Sequence, residues 1–243
     1  MGGRESIRLI RRPVARTAPI VAAVLAVAGS PTAPAANATC ASFFGIGNSL
    51  ACTSGPTGIA IAFGTGATAT ATGRFTVAAA LGDLSEAHAG GDYLNLAVAV
   101  NGTAVATSGI FDLAVAVSPS PGHATAYATN GGFNRAVAIG DTSSAYATNG
   151  SFNLAAALSR ESGTRAGDGS FNTALGIGPG AHGKAGFGSF DTAVAVGSDS
   201  SASAGRGDHN RARVVGRNSI ATAGPGNYHR VGLVGDNATA HSP

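Results

Sequence analysis

The sequence predicts an all-β fold: a parallel β-solenoid, or β-roll, of about nine to ten coils that mostly contain 19 residues each. The first observation is a phrase that recurs along the chain, typified by Phe-Asp-Thr-Ala-Val-Ala-Val-Gly at residues 190–197. The second is its spacing, because six of the eight intervals between successive phrases are 19 residues. The third is the alternation of small and larger apolar residues within each phrase, which favours pleated strands. A fixed period of this size marks a stack in which each unit contacts only its neighbours. The phrases begin at Phe75, Leu94, Phe111, Phe133, Phe152, Phe171, Phe190, His209 and Tyr228.

The N-terminal segment has the three parts of an export signal, and we assign residues 1–38 to it. Five arginines precede or accompany the start of an apolar run over residues 18–28, and small residues continue to Ala38. The run is too short to span a bilayer as a mature helix. We therefore expect cleavage after Ala38, a secreted or cell-surface location, and no membrane span in the mature chain.

The charge of the remaining chain excludes a simple nucleic-acid interpretation. Five of the fifteen lysines and arginines and one of the twelve acidic residues lie in residues 1–38, which leaves ten basic and eleven acidic side chains. The basic isoelectric point of the whole chain is thus a property of the export signal, and we expect no nucleic-acid partner.

The only two cysteines, Cys40 and Cys52, predict one disulfide in an exported chain. It would close an N-terminal cap over residues 39–56, and the repeat domain would then occupy residues 57–243. A redox role is disfavoured because no Cys-x-x-Cys spacing is present.

Each coil is expected to contain two short strands joined at glycine turns. The phrase itself supplies one strand, as in residues 133–139, and the other precedes it, as in residues 144–147. Turns at the same place in every coil favour glycine, because glycine adopts positive φ without steric cost. The amide or short acid after each aromatic, such as Asn134, Asn153 and Asp191, is expected to form a structural hydrogen-bonded ladder along the stack. Two glycine columns fit these turns: Gly73, Gly131, Gly150, Gly169, Gly188, Gly207 and Gly226, then Gly82, Gly140, Gly178, Gly197, Gly216 and Gly235.

The phrase strand is apolar on both faces, which leaves two arrangements open. Arg135, Arg211 and Arg230 share the face of the larger residues, and arginine is rarely buried without a partner. We therefore expect the alanine face to line the interior and the Val/Ile face to point outward, where a second copy of the chain would cover it. The alternative is a monomeric solenoid with Val and Ile inside.

Residues 193–205, Ala-Val-Ala-Val-Gly-Ser-Asp-Ser-Ser-Ala-Ser-Ala-Gly, resemble the head repeats of trimeric autotransporter adhesins. The resemblance covers the repeats from about Ala60 onward and implies a β-roll whose apolar strand face packs in a homotrimer. The chain departs from that family in its longer period of 19 residues and in having neither a coiled-coil stalk nor an outer-membrane barrel. The Ala/Gly-rich composition is also similar to that of small exported actinobacterial proteins.

Motifs for catalysis or cofactor binding are weak, and we predict no enzyme, no cofactor and no metal site. Residues 178–185 read Gly-Pro-Gly-Ala-His-Gly-Lys-Ala, which is similar to the motif of a phosphate-binding loop. Ala185, however, occupies the position at which that motif has a Ser or Thr hydroxyl to bind magnesium. The six histidines are scattered, without an i, i+4 pair. No nucleophile, base and orienting group recur at a workable spacing.

The best candidate binding residues form a column six positions before the aligned aromatics: Tyr127, Tyr146, Arg165 and Lys184. Two aromatic rings followed by two cations would make a ridge for a glycan or an anionic host surface, through stacking and charge. The alternative is a solvated face that discourages aggregation.

These observations together predict an exported structural or adhesive protein. The alternatives are a secreted partner-binding protein, of glycan-binding or inhibitor type, and an ice-binding solenoid. Thr68, Thr70 and Thr72 suggest the ice-binding function, but the next coil is expected to place Ala87 and Ala89 over them, which would break a threonine array.

Overall fold

The computed structural model describes residues 39–118 and 123–242, so the proposed export signal lies outside the described residues. The described chain is all-β, without a helix, and its strands belong to two sheets. Each coil contributes one strand to each sheet, and consecutive coils stack in parallel to give about ten turns. The predicted parallel β-solenoid is therefore confirmed.

Among the described residues, the first sheet contains twelve strands. They are β1 (Thr39–Phe43), β2 (Ile46–Gly47), β4 (Ile59–Phe63), β6 (Val77–Leu81), β8 (Leu96–Val100), β10 (Leu113–Val117), β12 (Arg135–Ile139), β14 (Leu154–Ala157), β16 (Thr173–Ile177), β18 (Thr192–Val196), β20 (Arg211–Val215) and β22 (Arg230–Val234).

In the same part of the chain, the second sheet contains eleven strands. They are β3 (Cys52–Ser54), β5 (Thr68–Ala71), β7 (Glu86–Ala89), β9 (Thr103–Ile110), β11 (Thr125–Gly132), β13 (Ser144–Ser151), β15 (Gly163–Gly167), β17 (His182–Gly186), β19 (Ser201–Gly205), β21 (Ile220–Ala223) and β23 (Thr239–Ser242).

Equivalent side chains lie directly above one another along the stack. The rings of Phe133, Phe152, Phe171 and Phe190 have centroids 4.8–4.9 Å apart and are nearly parallel. This separation is the spacing of neighbouring strands in a sheet. The irregular intervals of the sequence pattern preserve the register, because Ala114 pairs with Ala97 on one side and with Ala136 on the other.

The interior is filled by alanine from both sheets. This is the arrangement predicted from the cost of burying the arginines that share the opposite face of the first sheet. Ala136 and Ala138 of the first sheet and Ala145 and Ala147 of the second have no exposed surface. The Val and Ile residues that alternate with them in the first sheet point outward and stay partly exposed. Methyl groups are the largest side chains that most of this interior holds, so the two sheets approach closely.

The turn before each aromatic matches the prediction in part. The aligned aromatic itself takes the left-handed conformation, with φ near 60° at Phe133, Phe152 and Phe171. Four of the seven preceding glycines have φ of 124–154°, namely Gly150, Gly169, Gly207 and Gly226, whereas Gly73, Gly131 and Gly188 are outside the left-handed region. These glycines are required mainly because a Cβ at Gly131 or Gly150 would overlap the carbonyl oxygen of the next coil. At the opposite turn the prediction holds, since the whole column from Gly82 to Gly235 has positive φ.

The N-terminal cap is part of both sheets. Strand β1 pairs antiparallel with β4, in contrast to the parallel coils, and β3 begins the second sheet by pairing with β5. The predicted disulfide joins Cys40 of β1 to Cys52 of β3, with the two Cα atoms 5.6 Å apart. It therefore links the first strands of the two sheets across the end of the stack.

Candidate binding face on the second sheet

The four predicted ridge residues lie in one column on the outer face of the second sheet. Tyr127 of β11 pairs with Tyr146 of β13, which pairs with Arg165 of β15, which pairs with Lys184 of β17. The alternation of these strands sends Ala126, Ala128, Ala145 and Ala147 inward, so the ridge residues point outward. The column continues through Ser203 and Thr222 to His241.

The two tyrosines stack on each other, with ring centroids 5.1 Å apart and planes 9° apart. Because this separation is close to the rise between coils, each ring covers a face of the other and directs its edge outward. Partial burial raises the pKa of Tyr127, and the nearby Tyr146 and Glu86 add to the effect. The pair can therefore offer hydroxyl groups to a ligand, whereas face-on stacking with a sugar is restricted.

The two cations of the ridge differ in their surroundings. The Arg165 guanidinium donates to Asp168 Oδ2 at 2.8 Å, so its charge is already balanced. Lys184 Nζ lies 5.0 Å from the ring centroid of Phe187, a cation–π distance. Lys184 thus carries the stronger attraction for an anion.

A groove of about 350 Å³ begins at Lys184, the last of the four ridge residues, and continues beside the following coils. This groove was not predicted from the sequence. Lys184 and His241 line one side of it, and Phe187 and Arg206 line the other. Gly186, Gly205 and Gly224 lie between, where the preceding coils have Thr107, Thr129 and Thr148. A Cβ at Gly186, Gly205 or Gly224 would lie 2.0–2.1 Å from a carbonyl oxygen of the preceding coil, so this column is glycine because adjacent coils approach closely.

A Gly-x-Gly pattern that recurs in the sequence could have indicated this groove. It occurs as Gly186-Phe187-Gly188, Gly205-Arg206-Gly207 and Gly224-Pro225-Gly226. Phe187 and Arg206 have φ of 63° and 59°, so each sits at a left-handed corner where its side chain leaves the body of the coil. Both side chains are exposed.

The threonine positions differ from the prediction in register. Thr68 pairs with Glu86 and Thr70 pairs with His88, so Ala87 and Ala89 point into the interior and do not lie over the threonines. The outward column is interrupted by a charged residue and a histidine. A continuous threonine array is absent at this point of the described chain, for a different reason from the one expected.

The buried amide ladder is present and is more specific than predicted. Asn172 Oδ1 accepts from the backbone N–H of Asp191 in the next coil at 2.9 Å. Its Nδ2 donates to the carbonyl oxygens of Gly167 and Gly188, at 3.2 and 2.9 Å. Each amide thus joins the backbones of neighbouring coils, which is a structural role.

A second polar column, of serines, occupies the opposite corner of the interior. Ser162 Oγ donates to the carbonyl oxygen of Gly178 in the next coil at 2.8 Å, and Ser219 Oγ donates to Gly235 at 2.7 Å. Sequence reasoning missed this column, although a Gly-x-x-Ser spacing marks it at Gly140-x-x-Ser143 and Gly216-x-x-Ser219.

Two positions of the amide ladder hold aspartate. Asp112 and Asp191 are fully buried, and Oδ2 of each has no hydrogen-bond partner. Burial raises the pKa of each carboxyl to about 6, although a backbone N–H, from Asn134 and Asn210 respectively, opposes the shift by donating to the other oxygen. These are the most perturbed carboxyls among the described residues.

Within residues 39–118 and 123–242, no cluster of three or more His, Cys, Asp or Glu side chains is placed to hold a metal ion. The same residues contain no helix that is long and apolar enough to cross a membrane. Comparisons of the chain with protein-family models, with curated proteins and with solved structures found no match.

Proposed function

We propose that this chain is an exported structural or adhesive protein without catalytic activity, which binds acidic glycans along the outer face of its second sheet. The observation that carries the proposal is the convergence of Lys184, Arg206 and His241 on one groove whose lining residues include no acidic side chain. A groove with this charge attracts anions, and low ionic strength strengthens the attraction.

A polymer is a better ligand for this face than a small metabolite. The groove is open and runs along the stack, and equivalent outward side chains recur at each coil, about 4.8 Å apart. An extended glycan lying parallel to the stack would meet the hydroxyls of Tyr127 and Tyr146 first and the cations of the groove next. This arrangement suits attachment along a length rather than enclosure of one substrate.

The segment over residues 1–38 supports export by its composition, and the Cys40–Cys52 disulfide is compatible with an oxidising compartment. The stacked, hydrogen-bonded coils supply a rigid support for such an attachment surface.

Binding to dextran sulfate, with uncharged dextran as the matched polymer, tests the proposed function. We expect the full-length chain to bind dextran sulfate and not dextran. The double variant Lys184→Gln/Arg206→Gln should bind about tenfold more weakly, because each exposed charge contact contributes up to roughly 1 kcal/mol and a tenfold change corresponds to about 1.4 kcal/mol. Biolayer interferometry at low and at physiological salt measures the change.

Arg217→Gln provides the control, because Arg217 is exposed and does not line the groove, so its loss lowers the net charge by one without changing the groove. Equal weakening by Arg217→Gln and by the single variant Lys184→Gln or Arg206→Gln would mean that the glycan responds only to net charge. Turnover in a hydrolase screen would overturn the non-catalytic part of the proposal.

A further inference from the structure

The outer face of the first sheet, formed by the outward residues of strands β6 to β22, is an apolar surface along the length of the described stack. Its middle column includes Val98, Val115, Val137, Leu175 and Val194. Large apolar side chains at its edges keep more than a third of their surface exposed, for example Leu154 at 38% and Ile139 at 39%. The exposed file of stacked phenylalanines borders the same face.

The size of this face matches that of a stable protein interface. A strand of five residues spans about 17 Å, and nine strands about 4.8 Å apart span about 43 Å, which gives roughly 730 Å². A standard interface buries about 800 Å² on each partner, whereas the largest apolar patch of a monomer is usually 300–600 Å². The face therefore has the area that pairing with one similar face requires.

The charges on this face decide the orientation of the pair. On these strands the only charged outward residues are arginines, and three of the four, Arg211, Arg213 and Arg230, lie on β20 and β22. Two chains packed in the same direction would bring six arginines together at one end, away from any carboxylate of that face. Like charges in a partly desolvated interface are costly.

We propose that two copies of this chain pair face to face through the outer face of the first sheet, with their stacks running in opposite directions. The opposed orientation places the arginine-rich end of each copy over the apolar strand β6 of the other, where Val77 and Leu81 contact the aliphatic stems. The guanidinium groups of Arg211 and Arg230 reach water at the margin of the face. This assembly differs from the homotrimer that the resemblance implies, and it leaves the second sheet free.

Solution mass and a destabilising charge test the pairing. The full-length chain, expressed with its N-terminal segment so that any processing precedes purification, should have twice its single-chain mass in light scattering at micromolar concentration. Val137→Glu places a carboxylate at the centre of the face and should give the single-chain mass with an unchanged far-UV spectrum. Thr129→Glu, on the outer face of the second sheet, is the matched control and should remain paired.

Crosslinking tests the orientation. Val115 of β10 is third from one end of the nine stacked strands β6 to β22, and Val194 of β18 is third from the other. Chains carrying Val115→Cys mixed with chains carrying Val194→Cys should join to each other through a short bis-maleimide. Joining of each variant only to itself would overturn the opposed orientation. A single-chain mass at all concentrations, a three-chain mass, or recruitment of single chains to phosphatidylcholine vesicles would overturn the pairing.

Discussion

At the scale of single residues, each position in the polar columns inside the stack requires a side chain with a particular set of hydrogen-bond donors and acceptors. Asn153 and Asn172 each donate twice and accept once, and every one of these hydrogen bonds ends on a backbone group. An aspartate in the same place keeps the acceptor and loses both donors, so its second oxygen faces carbonyl oxygens without a partner. Burial raises the pKa values of Asp112 and Asp191, and the protonated carboxylic acid has one donor that the carboxylate lacks.

We predict that Asp191→Asn stabilises the protein at neutral pH. The new amide can donate where the carboxylate oxygen has no partner, and the expected gain is about 1–3 kcal/mol, the usual cost of an unpaired buried polar group. Thermal unfolding followed by circular dichroism at pH 7.5 measures it. Asp199→Asn, at an exposed turn, is the control and should leave the melting temperature nearly unchanged.

The same two aspartates predict a pH dependence. Their pKa values are about 6 in the folded chain and near 4 when unfolded, so the stability they contribute is complete below about pH 4 and is lost as the pH rises through 6. The advantage of an Asp112→Asn/Asp191→Asn variant over the parent chain should therefore be largest at pH 7.5 and shrink by pH 4.5. An advantage that is independent of pH would contradict this explanation.

At the scale of the elements, strands β6 to β18 of the first sheet each have an inner face that holds only alanine or glycine and an outer face that accepts larger residues. The two faces of β14 show the contrast, because Ala155 is fully buried between the sheets and its neighbour Ala156 is half-buried on the outside. Packing density inside proteins leaves little room for added methylene groups. The spacing of the two sheets is thus set by alanine on both sides.

We predict that Ala155→Leu destabilises the protein by about 1–3 kcal/mol or more, because the added atoms force the two sheets apart locally. The same substitution at Ala156, one residue along the strand, should change the unfolding free energy by less than about 0.5 kcal/mol. Urea denaturation of both variants compares the two faces. Equal costs at the two positions would show that the interior is not as closely packed as the structure indicates.

At the scale of the whole molecule, each coil is stabilised by the coils above and below it, so the ends are the weakest points. The chain closes its N-terminal end with the antiparallel strand β1 and with the disulfide between Cys40 and Cys52. In such a linear stack, opening at one end need not disturb the centre.

We predict that the Cys40→Ser/Cys52→Ser variant opens locally at this end. The disulfide closes a short loop, and its loss should cost about 3 kcal/mol by the loop-entropy estimate. Hydrogen exchange followed by mass spectrometry should show faster exchange in β1 to β5 and little change in β14 to β18. Faster exchange over the whole described chain would instead indicate that the stack unfolds as one cooperative unit.

Much of this architecture was predictable from the sequence, because the repeat period specifies which residues stack on one another. The period fixed which residues share a column, so the aromatic file, the amide column and the ridge from Tyr127 to Lys184 were all expected before the structure. The register failed where a coil is shorter: the 18-residue interval from Thr68 to Glu86 shifted the expected threonine partners by one position. A shift of one residue moves a side chain to the opposite face of a strand.

The sequence by itself determined the stacked coils, the disulfide pairing and the inward alanine face, since each follows from local spacing and from the cost of burying arginine. Only the tertiary structure decided what lies between neighbouring columns. The pairing of Arg165 with Asp168, the groove between Lys184 and Arg206, and the unpartnered oxygens of Asp112 and Asp191 depend on distances across turns and between coils. A repeat pattern specifies which residues stack, whereas the contacts of a side chain with a different column depend on the path of the backbone at each corner.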